Sequence, residues 1–156
     1  MTNRRFFLTA GFALTPLAVA LSAYGRTSNW PAGLHPIKWG RDTCTHCGMA
    51  ISDRRFAVEM CGARNDDFLK FDDIGCAVSW QHDKAKDYPW SAEPTTRFWV
   101  ADIASTTDDM IWLDARAAHY VHKASPMGYN FGASAQPLAG AVDFQTMRER
   151  VLAKEQ

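Results

Sequence analysis

Three soft sulfur donors lie within six residues: Cys44, Cys47 and Met49, in the stretch Asp42-Thr43-Cys44-Thr45-His46-Cys47-Gly48-Met49. Cysteines at this spacing in a loop can turn both thiolates toward one metal ion. Gly48 lets the chain turn tightly after Cys47, and Met49 can then fold back as a third donor. Thiolate and thioether are soft ligands, which select Cu(I) over hard cations. A second methionine, Met127, sits in the turn Ser125-Pro126-Met127-Gly128, where no core periodicity asks for a large apolar side chain. His46, Cys76 and Met60 are weaker ligand candidates. Met60 alternates with Phe56 and Val58 and reads as core, Cys76 borders a buried helix face, and His46 is a loop residue.

Other chemistries compete for the same cysteines. Covalent haem attachment needs His directly after the second cysteine, and Gly48 stands there. A zinc ribbon needs a second close pair, whereas Cys61 and Cys76 are far apart in the chain. A thioredoxin-like couple should follow a strand and open a helix, but this pair sits in a loop ahead of a strand. A structural disulfide or a structural zinc site fits an exported protein. Cys61 reads either as exposed or as the partner of Cys76.

The chain has 156 residues, with 17 Lys+Arg against 17 Asp+Glu. The first 23 read as an export signal. Arg4-Arg5 precede the apolar run Ala10 to Ala23, a twin-arginine pattern. Removing Arg4 and Arg5 with the signal takes Lys+Arg from 17 to 15 and leaves the mature part slightly acidic. That excludes the basic footprint that nucleic-acid binding needs. The expected location is the periplasm. A lipid anchor is not expected, because Tyr24 stands where a lipoprotein would carry its cysteine. Residues 24–41, with Pro31, Gly33 and Pro36, read as an extended linker.

The body, residues 42–152, reads as α+β: two small tandem ββαβ-like units, roughly 42–104 and 105–152, with room for one shared core. Phe56, Val58 and Met60 alternate as a strand, and Phe68 to Phe71 is its hairpin partner. Asp72 is the expected N-cap of a helix carrying Ile74, Ala77, Val78 and Gln81 on one face. Strands follow at Arg97 to Asp102, Met110 to Leu113, Ala118 to His122 and Asn130 to Ala135. Asp143 caps a last helix with Phe144, Met147 and Val151 on one face.

Four ordered blocks resemble the NosL family: Asp42 to Ala57, Phe71-Asp72-Asp73-Ile74-Gly75-Cys76, Trp112 to Val121, and Ser125-Pro126-Met127-Gly128-Tyr129-Asn130. The resemblance implies a tandem ββαβ fold and a periplasmic Cu(I)-binding chaperone rather than an enzyme. It implies Cys44, Cys47, Met49 and Met127 as copper ligands. The implied partner is nitrous oxide reductase, or its membrane-bound assembly complex, and the family permits a homodimer. The alternatives from other classes are a thiol–disulfide oxidoreductase using Cys44 and Cys47, and a non-catalytic exported module with a structural disulfide or zinc.

Overall fold

The computed structural model describes residues 30, 31, 33–64 and 67–154; the expected export signal, residues 1–23, and Tyr24 lie outside them. Among the described residues, six strands and two α-helices follow in order. They are β1 (Val58–Cys61), β2 (Phe68–Phe71), α1 (Ile74–Lys84), β3 (Arg97–Ala101), β4 (Trp112–Asp114), β5 (His119–His122), β6 (Phe131–Ser134) and α2 (Phe144–Ala153). A short 3-10 turn, Pro89–Ala92, connects α1 to β3. Among the described residues no helix is long and apolar enough to cross a membrane.

The α+β expectation holds. The first sheet runs β2-β1-β3-β4, and β5 and β6 form a second, two-stranded sheet. All named pairings are antiparallel. The first half runs strand, strand, helix, strand. β4, from the second half, hydrogen-bonds to β3 and completes the first sheet. The two sheets are stitched where Ile103 N–H donates to Ala133 O at 2.8 Å and Asp102 Oδ2 accepts from Ala135 N–H at 2.8 Å. One core unites both halves, with Phe71, Val78 and Phe98 in the same buried cluster as Tyr120, Met147 and Val151.

Strand alternation assigns the two faces of the first sheet. On one face Phe71 meets Trp80 of α1 and Phe98 meets Phe144 of α2, so the helices cover the Val58/Met60 side. The other face carries Glu59 and Cys61, opposite Lys70 and Phe68. The stretch read as a linker covers it. Leu34 and Ile37 are buried, Lys70 Nζ donates to Pro36 O at 2.8 Å, and His35 stacks on Phe68. Covering both faces buries every residue of β1. Cys61 is therefore neither exposed nor paired with Cys76. Its thiol reaches Glu59 Oε1 at 3.1 Å, and all four cysteines are free.

Helix α1 is buried continuously from Ile74 to Trp80 because it packs against β2, β6 and α2 together. Its N-cap is Asp73 rather than Asp72. Asp73 is extended (φ −154°, ψ 145°) and accepts from Gly75 N–H at 2.8 Å, while Asp72 accepts from Ser52 N–H at 3.3 Å. Asp143 caps α2 as expected, accepting from Thr146 N–H at 2.7 Å.

Candidate metal centre

The 43–50 segment is a closed loop fastened to the edge of β2. Thr43 and Ala50 bridge its ends, Cys44 N–H donates to Met49 O at 2.8 Å, and Gly48 N–H returns to Cys44 O at 2.9 Å. Gly48 has φ +74°, the left-handed turn that glycine adopts without penalty. Thr45 uses its N–H and its hydroxyl on Lys70 O, at 2.8 and 3.0 Å. Lys70 in turn holds Asp42 Oδ2 at 2.7 Å. Cys44 is thereby turned inward and buried, Cys47 is half-buried, and His46 and Met49 face outward.

The second contributor is the start of α1. The Sγ atoms of Cys44, Cys47 and Cys76 all lie within 4.8 Å of one another. The third is the turn at Met127. Its thioether sulfur is 3.7 Å from Cys47 Sγ, across 80 residues of sequence. Four sulfurs sharing one ion through bonds of about 2.3 Å would stand roughly 3.8–4.0 Å apart in tetrahedral or trigonal arrangements. The 3.7 Å between Cys47 and Met127 is close to that spacing, and the three cysteine sulfurs lie within 4.8 Å.

Asp73 clamps the Met127 turn onto the helix. One carboxylate oxygen caps α1 through Gly75. The other accepts from Ser125 Oγ, and the Met127 N–H also points to this carboxylate. Gly75 makes the approach sterically feasible, since a Cβ there would stand 2.0 Å from Tyr129 Cγ. Tyr129 is held by its OH near Ser79 Oγ (3.4 Å) and by its carbonyl, which accepts from Lys154 Nζ at 3.0 Å. Asn130 takes a positive φ of 65° and closes the turn with a 2.9 Å bond from its N–H to Ser125 Oγ.

The electrostatics suit a cation. The Cys44 thiol is lowered to about 5, first by a hydrogen bond from Cys76 and then, against burial, by the backbone N–H groups of Cys47, Asp72 and His46. Cys76, the donor, is pushed strongly up by the same bond and by burial. Cys47 is raised by burial. Asp72 is raised to about 6 by burial, with the charges of Cys44, Asp73 and Asp53 adding to the effect. Asp73 is raised by burial, with Cys44 again opposing its ionisation. These buried acids repel one another, and a positive ion among the sulfurs would relieve all of them.

The sequence-derived candidates therefore divide. Cys44, Cys47 and Met127 converge. Cys76, a weaker candidate, joins them as a full member of the cluster. Met49 is on the loop but 58 % exposed, and His46 is exposed and contributes its backbone N–H. Met60 is wholly buried on β1 beside Leu69 and Phe98, as strand alternation expects of a core residue. Asp73, Ser125, Gly75 and Tyr129 position the site and carry no spacing signal of their own.

The NosL family model matches residues 38–149, most of the chain. The chain belongs to the NosL family. The match takes in both the cysteine loop and the Met127 turn, so the site lies wholly within the NosL region. Comparison with curated protein sequences gives no match. Among solved structures, the chain is similar to one described as the copper chaperone NosL from Shewanella denitrificans. The TM-score is 0.45 at 17 % identity, over 77 % of this chain and 89 % of that one.

Proposed function

We propose that this protein is a periplasmic Cu(I) metallochaperone, not an enzyme, and that it delivers copper for maturation of nitrous oxide reductase. One observation carries the reading: the sulfurs of Cys44, Cys47, Cys76 and Met127 converge from three separate segments. A site of thiols and a thioether selects a soft monovalent ion. The expected ligands are Cys44, Cys47 and Met127, with Met49 as the outward donor that meets the recipient. The lowered Cys44 thiol gives up its proton to a metal more readily than an ordinary cysteine. Met127 and Met49 bind more loosely than thiolates and ease release. Cys76, kept protonated by its neighbours, can return its hydrogen bond to Cys44 as copper leaves. The twin-arginine pattern and the family resemblance support action in the periplasm, with the reductase or its membrane-bound assembly complex as recipient.

The test is transfer. Anaerobic Cu(I)-loaded protein is mixed with copper-depleted nitrous oxide reductase, and the recipient's copper content and activity are followed. The wild type should load the reductase, and Cys47→Ser and Met127→Ala should load it poorly. Equal loading by free Cu(I) and by the loaded protein would overturn the delivery role.

A second reading has its own observation. The lowered Cys44 thiol beside Cys47 is the state of an attacking thiolate in disulfide exchange. Here, however, the lowering comes first from Cys76 and not from a helix N-terminus. Catalytic turnover of a mixed-disulfide substrate, lost in Cys44→Ser, would favour this reading over copper delivery.

A further inference from the structure

A second cluster of metal-binding side chains lies on the opposite face of the first sheet, beneath residues 33–41. A His35 ring nitrogen, a Glu59 carboxylate oxygen and Cys61 Sγ all lie within 4.8 Å of one another. It shares no residue with the sulfur centre. Cys61 pairs with Phe68 at the far end of the β1–β2 hairpin, three residues before Phe71. At about 3.3 Å per residue, that is roughly 10 Å from the strand end that leads into α1 and Cys76.

The centre of this cluster is a carboxylate with too few partners. Glu59 is fully buried. Oε1 accepts from His35 N–H at 2.6 Å, lies 3.4 Å from His35 Nδ1, and accepts from the Cys61 thiol at 3.1 Å. Among the described residues, Oε2 has no hydrogen-bond partner. A buried carboxylate oxygen left without a donor has lost its water with nothing in return, so such a group calls for an explanation. Two strand cations lie on this face, and neither donates to Oε2: Lys70 Nζ is engaged by Asp42 and by Pro36 O, and Arg97, the β3 partner of Cys61, donates to Gly62 O. Burial raises Glu59, and burial with the Glu59 charge raises Cys61.

We propose that His35, Glu59 and Cys61 form a second metal site, selective for a borderline divalent ion of the Zn(II) type and separate from the soft-sulfur centre. Imidazole, carboxylate and thiolate are the three donor types that Zn(II) accepts together, and the carboxylate makes the set too hard for Cu(I). With bonds of about 2.0–2.3 Å, ligand atoms in a tetrahedral site stand roughly 3.2–3.8 Å apart. The measured 3.4 Å (His35 Nδ1 to Glu59) is in that range, and 3.1 Å (Cys61 to Glu59) is just short of it. Binding releases the Cys61 thiol proton, and the two anionic ligands neutralise the dication. The His35 ring is already oriented by stacking on Phe68, with centroids 3.8 Å apart and planes 16° apart. The bound ion would tie residues 33–41 to β1, which makes its role structural.

The test uses Zn(II) with a chromophoric competitor, and Co(II) as a spectroscopic substitute. The proteins are reduced wild type, His35→Ala, Cys61→Ala and the Cys44→Ser/Cys47→Ser/Cys76→Ser triple variant. The triple variant should keep one Zn(II) equivalent, show a Co(II)–thiolate charge-transfer band, and gain thermal stability with added Zn(II). Wild-type His35→Ala and Cys61→Ala should each lose one equivalent, or bind it more than about tenfold more weakly, while keeping Cu(I) binding. If the triple variant does not fold, the wild-type comparison alone decides. Equal Zn(II) stoichiometry and affinity in wild type, His35→Ala and Cys61→Ala overturns the site. Because Cu(I) is titrated separately, failure of the copper reading leaves this result intact.

Discussion

Gly75→Ala reverses an ordinary expectation. Replacing glycine by alanine within a helix normally stabilises by roughly 0.5–1 kcal/mol. Here the new Cβ would stand 2.0, 2.3 and 2.4 Å from Tyr129 Cγ, Cδ2 and Cδ1. Carbon atoms in contact prefer about 3.5–4.0 Å, so the ring must retreat by roughly 1.5 Å. Tyr129 is tethered at both its hydroxyl and its carbonyl, so the turn that contains it must move too. Overpacking of this kind costs about 1–3 kcal/mol, which appears as a Tm lower by several degrees. Met127 is two residues away, and its 3.7 Å contact with Cys47 goes with the turn. Gly75→Ala should therefore weaken Cu(I) binding nearly as much as Met127→Ala. Thermal denaturation and Cu(I) competition are measured for Gly75→Ala, Tyr129→Ala and the double variant. In the double variant the clash is gone, so adding Gly75→Ala to Tyr129→Ala should be neutral or stabilising. The reasoning is refuted if Gly75→Ala alone stabilises, or if it destabilises equally in both backgrounds.

Met127→Ala should lower Cu(I) affinity about tenfold or more, a loss of at least ~1.4 kcal/mol. Met60→Leu, a volume-conserving change in the core, should leave copper binding unaltered and cost under about 1.5 kcal/mol of stability; both are read by chelator competition and denaturant melts. Met49→Leu should slow Cu(I) transfer to the recipient in stopped flow while changing equilibrium affinity little, because Met49 is exposed at the rim. In the reduced metal-free protein, thiolate ultraviolet absorbance should show one thiol ionising near pH 5, well below the ordinary 9.0. Cys76→Ala should shift that step upward by about 1–2 pH units, since a hydrogen bond to a charged group is worth about 1.5–3 kcal/mol. A thiol depressed on folding stabilises the folded state above its unfolded pKa and loses that contribution as pH falls toward about 5. Asp72, raised from 3.8 to about 6, acts in the opposite sense between those values. Denaturant stability of the wild type should therefore rise between pH 6 and about 8.5, and this rise should shrink in Cys44→Ala.

Local chemistry was readable in the sequence wherever it is local in the structure. Strand alternation located β1 and the burial of Met60, and Asp143 marked the start of α2. The cysteine loop could be read because its candidate ligands are near neighbours and Gly48 announces the turn. Contacts set by the whole fold were not readable. Pro31, Gly33 and Pro36 argue for extended chain, but extension alone does not reveal that residues 33–41 lie across a sheet face and bury Glu59 and Cys61. The pairing of β4 with β3 depends on long-range register rather than on any residue in β4. Cys76 looked like a helix-border hydrophobe because the periodicity of α1 gives no sign that a loop arrives at its N-terminal turn. Two adjacent aspartates, Asp72 and Asp73, offer the same capping chemistry, and tertiary partners choose Asp73.

X-ray absorption at the copper edge, on the anaerobic Cu(I)-loaded protein, tests the central claim most directly. The proposed site, built where Cys44, Cys47 and Cys76 meet near Met127, predicts one Cu(I) per chain in a shell of sulfur alone. Met127→Ala should remove one sulfur scatterer or replace it with a lighter atom. A nitrogen- or oxygen-dominated shell in the wild type, or an identical sulfur shell in Met127→Ala, would contradict the account.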